Sequence, residues 1–537
     1  MLLLGFLLFT SFVAFTTYFK LRKEKLDSQD GYFLGGRSLT AGVIAGSMIL
    51  TNISTEHLIG MNADAFMHGM IIISWETTSA IALVIGALYF LPRYLKMGLT
   101  TIPEYLEYRF DGATRTLVAS TLILAFVFTL LPIVLYSGAI NFESIFEISE
   151  TLQLEEDRAL WITILVIGTI GSIYAVFGGL KAVAYSDTLN GIGLLIGGLM
   201  IPVLALMQIG NGDMLTGLEE VYEAIPEKFS TRGSRDSVMP FEVLFTGLII
   251  NQLYFWCMNQ AIIQRALGAK NLVEAQKGLL LTGLFKILVP IIIVLPGIIG
   301  YYYFGTFTDQ VVERSELVYP ELVKRVMPAT FNGFFAAVLM GAVLSTFNSV
   351  LNSAATIFSV GIYKRHINKE ASESALVTVG RWTSVILAVG AIIAAPFVAQ
   401  APEGLYQLLQ TLNGIYIIPV ASILLAGFFL KTVSAPAAKA AFFFGLAFYV
   451  FMSFIWDVDN RENIAAGTFY LHYIHIWGIE FVLNILLMLV VSALFPREQE
   501  VQVIPSEHTV SIEGWKYAKL VGGILVIVTI CIYVLLG

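Results

Sequence analysis

The feature that most constrains this chain is a recurrent apolar run. Fourteen stretches of about 20 residues or more, each long enough to cross a bilayer as a helix, lie near 1–19, 39–64, 71–92, 116–140, 159–179, 187–210, 241–263, 279–304, 330–358, 377–398, 405–430, 437–456, 470–495 and 517–536. Most are too long for membrane strands, and no short alternating pattern recurs, which excludes a β-barrel. The expected fold is an all-α polytopic membrane protein with about fourteen transmembrane helices. Charge agrees: only 13% of the 537 residues are charged, about half the share of a soluble domain. A soluble enzyme, a disordered chain and a nucleic-acid binder are excluded. Without G-x-S-x-G, H-E-x-x-H, C-x-x-C or a P-loop, the chain reads as neither an enzyme nor an ATP-driven pump. Cys257 and Cys531 lie in apolar runs and read as inert buried thiols.

The placement of the basic residues orients the spans. Lys20, Arg22, Lys23 and Lys25 follow the first span, which has no signal-peptide features. With the N-terminus outside, 22 of the 31 Lys and Arg fall on the cytoplasmic side, 8 fall outside, and Lys286 lies within a span. That asymmetry places both termini outside the cytoplasm. The compact loops suit a multi-pass protein of a plasma (inner) membrane. The segment 100–111 reads as a short cytoplasmic interfacial helix, with Pro103 in its first turn.

Polar groups at membrane depth are costly, so their positions point to function. The second span carries Thr51-Asn-Ile-Ser-Thr-Glu-His57, and short polar side chains compete with helical hydrogen bonds. An unwound stretch near 52–55 is expected. The seventh span holds a second run: Asn251, Gln252, Tyr254, Trp256, Asn259, Gln260 and Gln264. Two interrupted helices five spans apart suggest five-plus-five inverted repeats with the substrate near the midplane. One helix would precede them and three would follow. The chain then divides into 1–38, 39–240, 241–430 and 431–537. In the ninth span Ser345, Ser349, Asn352 and Ser353 share a face. Such a face reads as close helix packing. Alternatively, Ser345 and Thr346, with carbonyls freed by an unwound helix, form an oxygen cage for a monovalent cation. Glu76 and Lys286 read as a structural ion pair or as acceptor and donor for a polyol.

Seven segments stand in order between about 31 and 430: Tyr32-Phe-Leu-Gly-Gly-Arg-Ser-Leu39, the span-two run ending at Met61, Trp75-Glu76, Thr101–Phe110, Phe177–Asp187, Phe255–Lys270 and Phe347–Thr356. Together they resemble the sodium/solute symporter family, in particular its sodium/glucose cotransporter branch. The resemblance implies a sodium site from the carbonyls of Leu50, Ile53 and Ala342 and the hydroxyls of Ser345 and Thr346. It implies a sugar pocket lined by Asn52, His57, Glu76, Ser79, Gln252, Lys286 and Gln410, gated by Phe255 and Trp256. It makes Asp187 a possible second ion-coupling group. The gate is typically Tyr in the family, where this chain has Phe255. Ala342, often Ser where a second sodium binds, favours one sodium per substrate.

The resulting expectation is sodium-coupled uptake of a hexose such as glucose or galactose by alternating access. Its partners would be Na⁺, a sugar or small polar solute and the bilayer, without nucleic acid. A sodium symporter for inositol, a sugar acid or an amino acid, and a proton-coupled sugar symporter, are the alternatives.

Overall fold

The computed structural model describes residues 2–22, 24, 26–308, 310–400, 405–497 and 510–537. Lys23 and Lys25 lie outside the described residues. Regular structure among the described residues is helical, with two isolated β-bridges. The principal helices of the first half are α1 (Leu2–Leu21), α2 (Ala41–Asn52), α3 (Asn62–His68), α4 (Ser74–Ile85), α5 (Ile102–Arg109), α6 (Gly112–Ala125), α7 (Leu131–Phe146) and α8 (Glu156–Ile209). Those of the second half are α9 (Gly247–Cys257), α10 (Gln260–Leu267), α11 (Leu272–Leu288), α12 (Leu295–Tyr302), α13 (Ala329–Thr356), α14 (Glu373–Ala394), α15 (Leu405–Phe429), α16 (Ala435–Val450), α17 (Tyr473–Leu494) and α18 (Ala518–Leu535).

Among the described residues, eleven continuous helical segments are long and apolar enough to cross a membrane, rather than the fourteen expected. The difference lies where runs fuse or break. The 54-residue helix α8 covers two of the expected spans and contains a break at Gly179 (φ 58°). At 1.5 Å per residue it would run about 80 Å unbroken, far beyond one hydrocarbon core of about 30 Å. A Cβ at Gly179 would also sit 2.8 Å from the Tyr32 carbonyl, so only glycine suits the bend. The Tyr32 hydroxyl donates to the carbonyls of Ala175 and Val176 just before it, pinning the N-terminal segment to this corner.

The second and seventh expected spans are each split into shorter helices. In the second, α2 ends at Asn52 and Ile53 is extended (φ −84°, ψ 97°). The polar side chains there bond to neighbouring helices instead: Thr51 Oγ1 to Ser349 Oγ at 2.9 Å, and Thr55 Oγ1 to Ser137 Oγ at 2.8 Å. The seventh breaks at Met258, and the Asn259 side chain caps α10 by accepting from Ala261 N at 2.9 Å. The interfacial helix is α5, where the Glu104 carboxylate reaches back to Thr101 N and Thr100 N.

The helices α2, α4, α9, α11 and α13 pack around the two breaks. α15, α16 and α17 form a group against one side, and α1 lies along α13. The outer faces are apolar and exposed, including Leu3, Leu7, Phe128, Ile173, Ile386 and Ile527. Cys257 is buried, but Cys531 is exposed on the outer side of α18, unlike the buried thiol expected there.

Candidate functional site

The broken helices meet at a central cavity. It is lined by Asn52 and His57 from the first break, Glu76 and Ser79 from α4, Gln252, Phe255 and Trp256 from α9, Lys286 from α11 and Gln410 from α15. Every expected pocket and gate residue therefore faces one space, although these positions span more than 350 residues of sequence. Thr346 also reaches its wall.

The charged centre is Lys286, fully buried. Its Nζ forms a close ion pair with Glu76 Oε2, donates to Asn52 Oδ1 at 2.6 Å, and lies 5.3 Å from the Trp256 ring centroid. Burying two charges is expensive, and the attraction repays it only when further hydrogen bonds complete the geometry. Here Asn52 supplies one, and the indole face adds a cation–π contact. The arrangement presents a donor and an acceptor at the cavity wall.

Two amide networks frame that centre. Gln252 Nε2 donates to the Trp75 carbonyl at 2.7 Å and to Thr78 Oγ1 at 3.1 Å, while its Oε1 accepts from Ser79 Oγ at 3.0 Å. This consumes much of the capacity of Ser79 and Gln252, so they orient one another as much as they offer free groups. On α15, Tyr416 Oη donates to Asn413 Oδ1 (2.9 Å), Asn413 Nδ2 to Gln410 Oε1 (3.3 Å), and Gln410 Nε2 to Tyr406 Oη (3.2 Å). His57 stands 3.5 Å from Asn52 Nδ2 through Nε2, with its ring edge-on to Tyr406. His57 Nδ1 lies 3.7 Å from Glu56 Oε1, and among the described residues neither His57 Nδ1 nor Glu56 Oε2 makes a hydrogen bond, leaving capacity for a ligand.

The expected cation ligands lie directly behind this wall. Leu50 and Ile53 sit in and just after the last turn of α2, where carbonyls lack a following helical N–H. Thr346 Oγ1 donates to Thr51 O at 2.9 Å and approaches Ala342 O at 3.4 Å. Ser345 Oγ is buried, with the Asp187 carboxylate beside it. Hydroxyls together with carbonyls freed at a helix end are a donor set suited to a small hard cation.

Asp187 adjoins this set through Ser345 and anchors a further network. Its Oδ2 accepts from Ser47 Oγ at 2.6 Å, and Arg265 Nε donates to the same hydroxyl at 3.1 Å. Arg265 also bonds Ser349, which contacts Thr51. Gln264 binds Ser353 and Thr356. Ser349 and Ser353 therefore pack against α10, while Ser345 and Thr346 lie toward α2 and α8.

Sequence reasoning passed over Tyr406, Asn413 and Tyr416, although their spacing with Gln410 along one helix carries a detectable signal. It also treated Lys286 as the one basic residue inside. Arg265 is equally buried at 0% exposure, and its place at the end of a span concealed that.

Residues 32–445 match the model of the sodium:solute symporter family. The chain belongs to that family. Members are transporters, not enzymes. This chain is thus a multi-pass, sodium-coupled secondary symporter that moves Na⁺ with a small solute. The uncharacterised symporter YidK of Escherichia coli K12 is 42% identical over 518 residues, covering 96% of this chain and 88% of YidK. The sodium/glucose cotransporter of Vibrio parahaemolyticus is 32% identical, covering 81% of each chain. The human sodium/myo-inositol cotransporter is 29% identical, covering 90% of this chain and 72% of its own length. Among solved structures, a substrate-bound, outward-open Na⁺-coupled sialic acid symporter has a similar fold: TM-score 0.75, 18% identity, with 92% of this chain and 98% of that one covered. Mhp1, a nucleobase-cation-symport-1 transporter, gives 0.55 at 14% identity, covering 87% and 96%.

Proposed function

We propose that this symporter takes up a neutral sugar, a hexose such as glucose or galactose, together with one Na⁺. The observation that carries the reading is the Glu76–Lys286–Asn52 cluster in the cavity. A polyol needs paired donors and acceptors, which carboxylate, ammonium and amide supply. His57 and Gln410 add two further polar edges, and Trp75, Tyr406 and Trp256 supply apolar faces. The Vibrio glucose cotransporter supports a hexose. The human inositol relative, at similar identity, favours inositol as the second reading.

In this mechanism Na⁺ enters between the first break and α13. It is held by the carbonyls of Leu50, Ile53 and Ala342 and the hydroxyls of Ser345 and Thr346. Fixing the end of α2 sets Asn52 and His57 toward the sugar, and linkage makes the effect reciprocal. Release of Na⁺ into a sodium-poor cytoplasm loosens the site, and sugar follows past Phe255 and Trp256. One charge crossing ~100 mV contributes about 2.3 kcal/mol, enough for roughly fifty-fold accumulation at about 1.4 kcal/mol per decade. We read the chain as fourteen crossings with both termini outside the cytoplasm. Residues 39–240 and 241–430 form the two repeats, and Asp187 assists ion coupling through the Arg265 network.

Radiolabelled uptake into proteoliposomes, with a panel of hexoses, inositol, sugar acids and amino acids, tests the proposal. Hexose uptake that requires an inward Na⁺ gradient is expected. Equal uptake with choline in place of Na⁺ rejects the coupling, and uptake confined to inositol or an acid rejects the hexose.

A further inference from the structure

Glu480 lies in the apolar helix α17, away from the cavity and the cation ligands, and is 0% exposed. Asn484, one turn later on the same face, is equally buried. Its Nδ2 donates to Glu480 Oε1 at 3.4 Å and to Ser422 Oγ on α15 at 3.3 Å. Among the described residues, two buried atoms of this pair have no hydrogen-bond partner: Glu480 Oε2 and Asn484 Oδ1. A Cβ built at Gly445 on α16 would lie 2.6 Å from Glu480 Oε1, 2.6 Å from Asn484 Nδ2 and 3.1 Å from Asn484 Oδ1. Three helices thus close on one polar knot, and glycine makes the room for it.

Among the described residues no Lys, Arg or His lies within ion-pair distance of Glu480. Of the elements packed on α17, α16 brings Tyr449, whose hydroxyl donates to Thr411 O at 3.0 Å. α15 brings Ser422, and among the described residues no titratable side chain of α9 or α15 hydrogen-bonds Glu480. An ionised carboxylate here would be an uncompensated charge at membrane depth, beside an amide oxygen that also lacks a donor.

We propose that Glu480 is a proton-binding site within the membrane, held as a neutral acid against Asn484. One proton satisfies both orphan atoms. Glu480 Oε2–H donates to Asn484 Oδ1 while Oε1 keeps the Asn484 N–H, forming a two-bond acid–amide ring. The second amide N–H holds Ser422, tying the proton to α15, the helix that carries Gln410 and Asn413 into the cavity. The bound proton fixes the Asn484 amide in the orientation that reaches Ser422 on α15.

The full-length protein in liposomes provides the test, by infrared difference spectroscopy of wild type against E480Q. The expected result is a neutral carboxylic C=O band at neutral pH, assigned to Glu480 by its loss in E480Q and unmoved when choline replaces Na⁺. E480Q, whose amide N–H replaces the acid proton, keeps uptake within about twofold of wild type, whereas E480A loses about tenfold or more. Absence of the neutral band, a band that shifts with Na⁺, or E480Q uptake as low as that of E480A overturns the proposal. If E480A fails to fold, the band and the E480Q uptake decide alone.

Discussion

Lys286 Nζ stands 2.6 Å from Asn52 Oδ1. An ammonium on α11 thereby holds the last residue of α2 before its backbone unwinds. The same nitrogen pairs with Glu76, so three helices meet at one charge. The buried pair is costly on its own, and its value lies in fixing where the break sits and what it presents to the cavity.

Removing one partner of that pair is expected to be worse than removing both charges. Glu76→Ala or Lys286→Ala leaves an uncompensated buried charge, a loss of about 3–5 kcal/mol. Glu76→Gln combined with Lys286→Met should recover much of the stability but not substrate uptake. Thermal unfolding in detergent alongside proteoliposome uptake separates the two effects, and full uptake by either single variant would remove both residues from the substrate pocket.

Ser345→Ala with Thr346→Ala should raise the Na⁺ concentration needed for half-maximal uptake by about tenfold or more, because each hydroxyl withdrawn removes one of the oxygen ligands proposed for the ion. Thr346→Ser, which keeps the oxygen bonded to Thr51 O, should stay close to wild type. The readout is the Na⁺ dependence of uptake at fixed substrate.

Arg265 bonds Ser47, Ser349 and the Ala261 carbonyl while fully buried near Asp187. Arg265→Lys is not a conservative change at such a forked site. Arg265→Ala and Arg265→Lys should both destabilise, the former by about 3 kcal/mol or more. Asp187→Asn together with Arg265→Gln should lose less than the two single changes summed. Melting temperatures of wild type, Asp187→Asn, Arg265→Gln and the double variant check this, and additive losses would show that the two groups are uncoupled.

Asp459 lies in the connection between α16 and α17, where burial raises its carboxyl from 3.8 to about 6. The folded value is raised, so its stabilising contribution is complete below about pH 4 and is lost as pH rises through 6. Thermal scans from pH 4 to 7 should give a shallower loss of stability with rising pH for Asp459→Asn than for wild type. Identical slopes would contradict this assignment.

The sequence by itself determined the medium, the helical class and the two interrupted spans, because apolar length and clusters of Asn, Ser and Thr act locally. Helical periodicity also marked which residues share a face, as with Ser345 and Ser349. What it did not carry was which neighbour each face meets. That Ser349 bonds Arg265, that Thr346 closes on Thr51 O, and that Glu480 and Asn484 lie over Gly445 depend on contacts between segments far apart in the chain. Span ends were blurred for the same reason: Arg265 reads as a boundary charge in one dimension and is buried in three, because α2, α8 and α13 surround it. Local chemistry chose where the helices break, and only their packing decided which charges the breaks enclose.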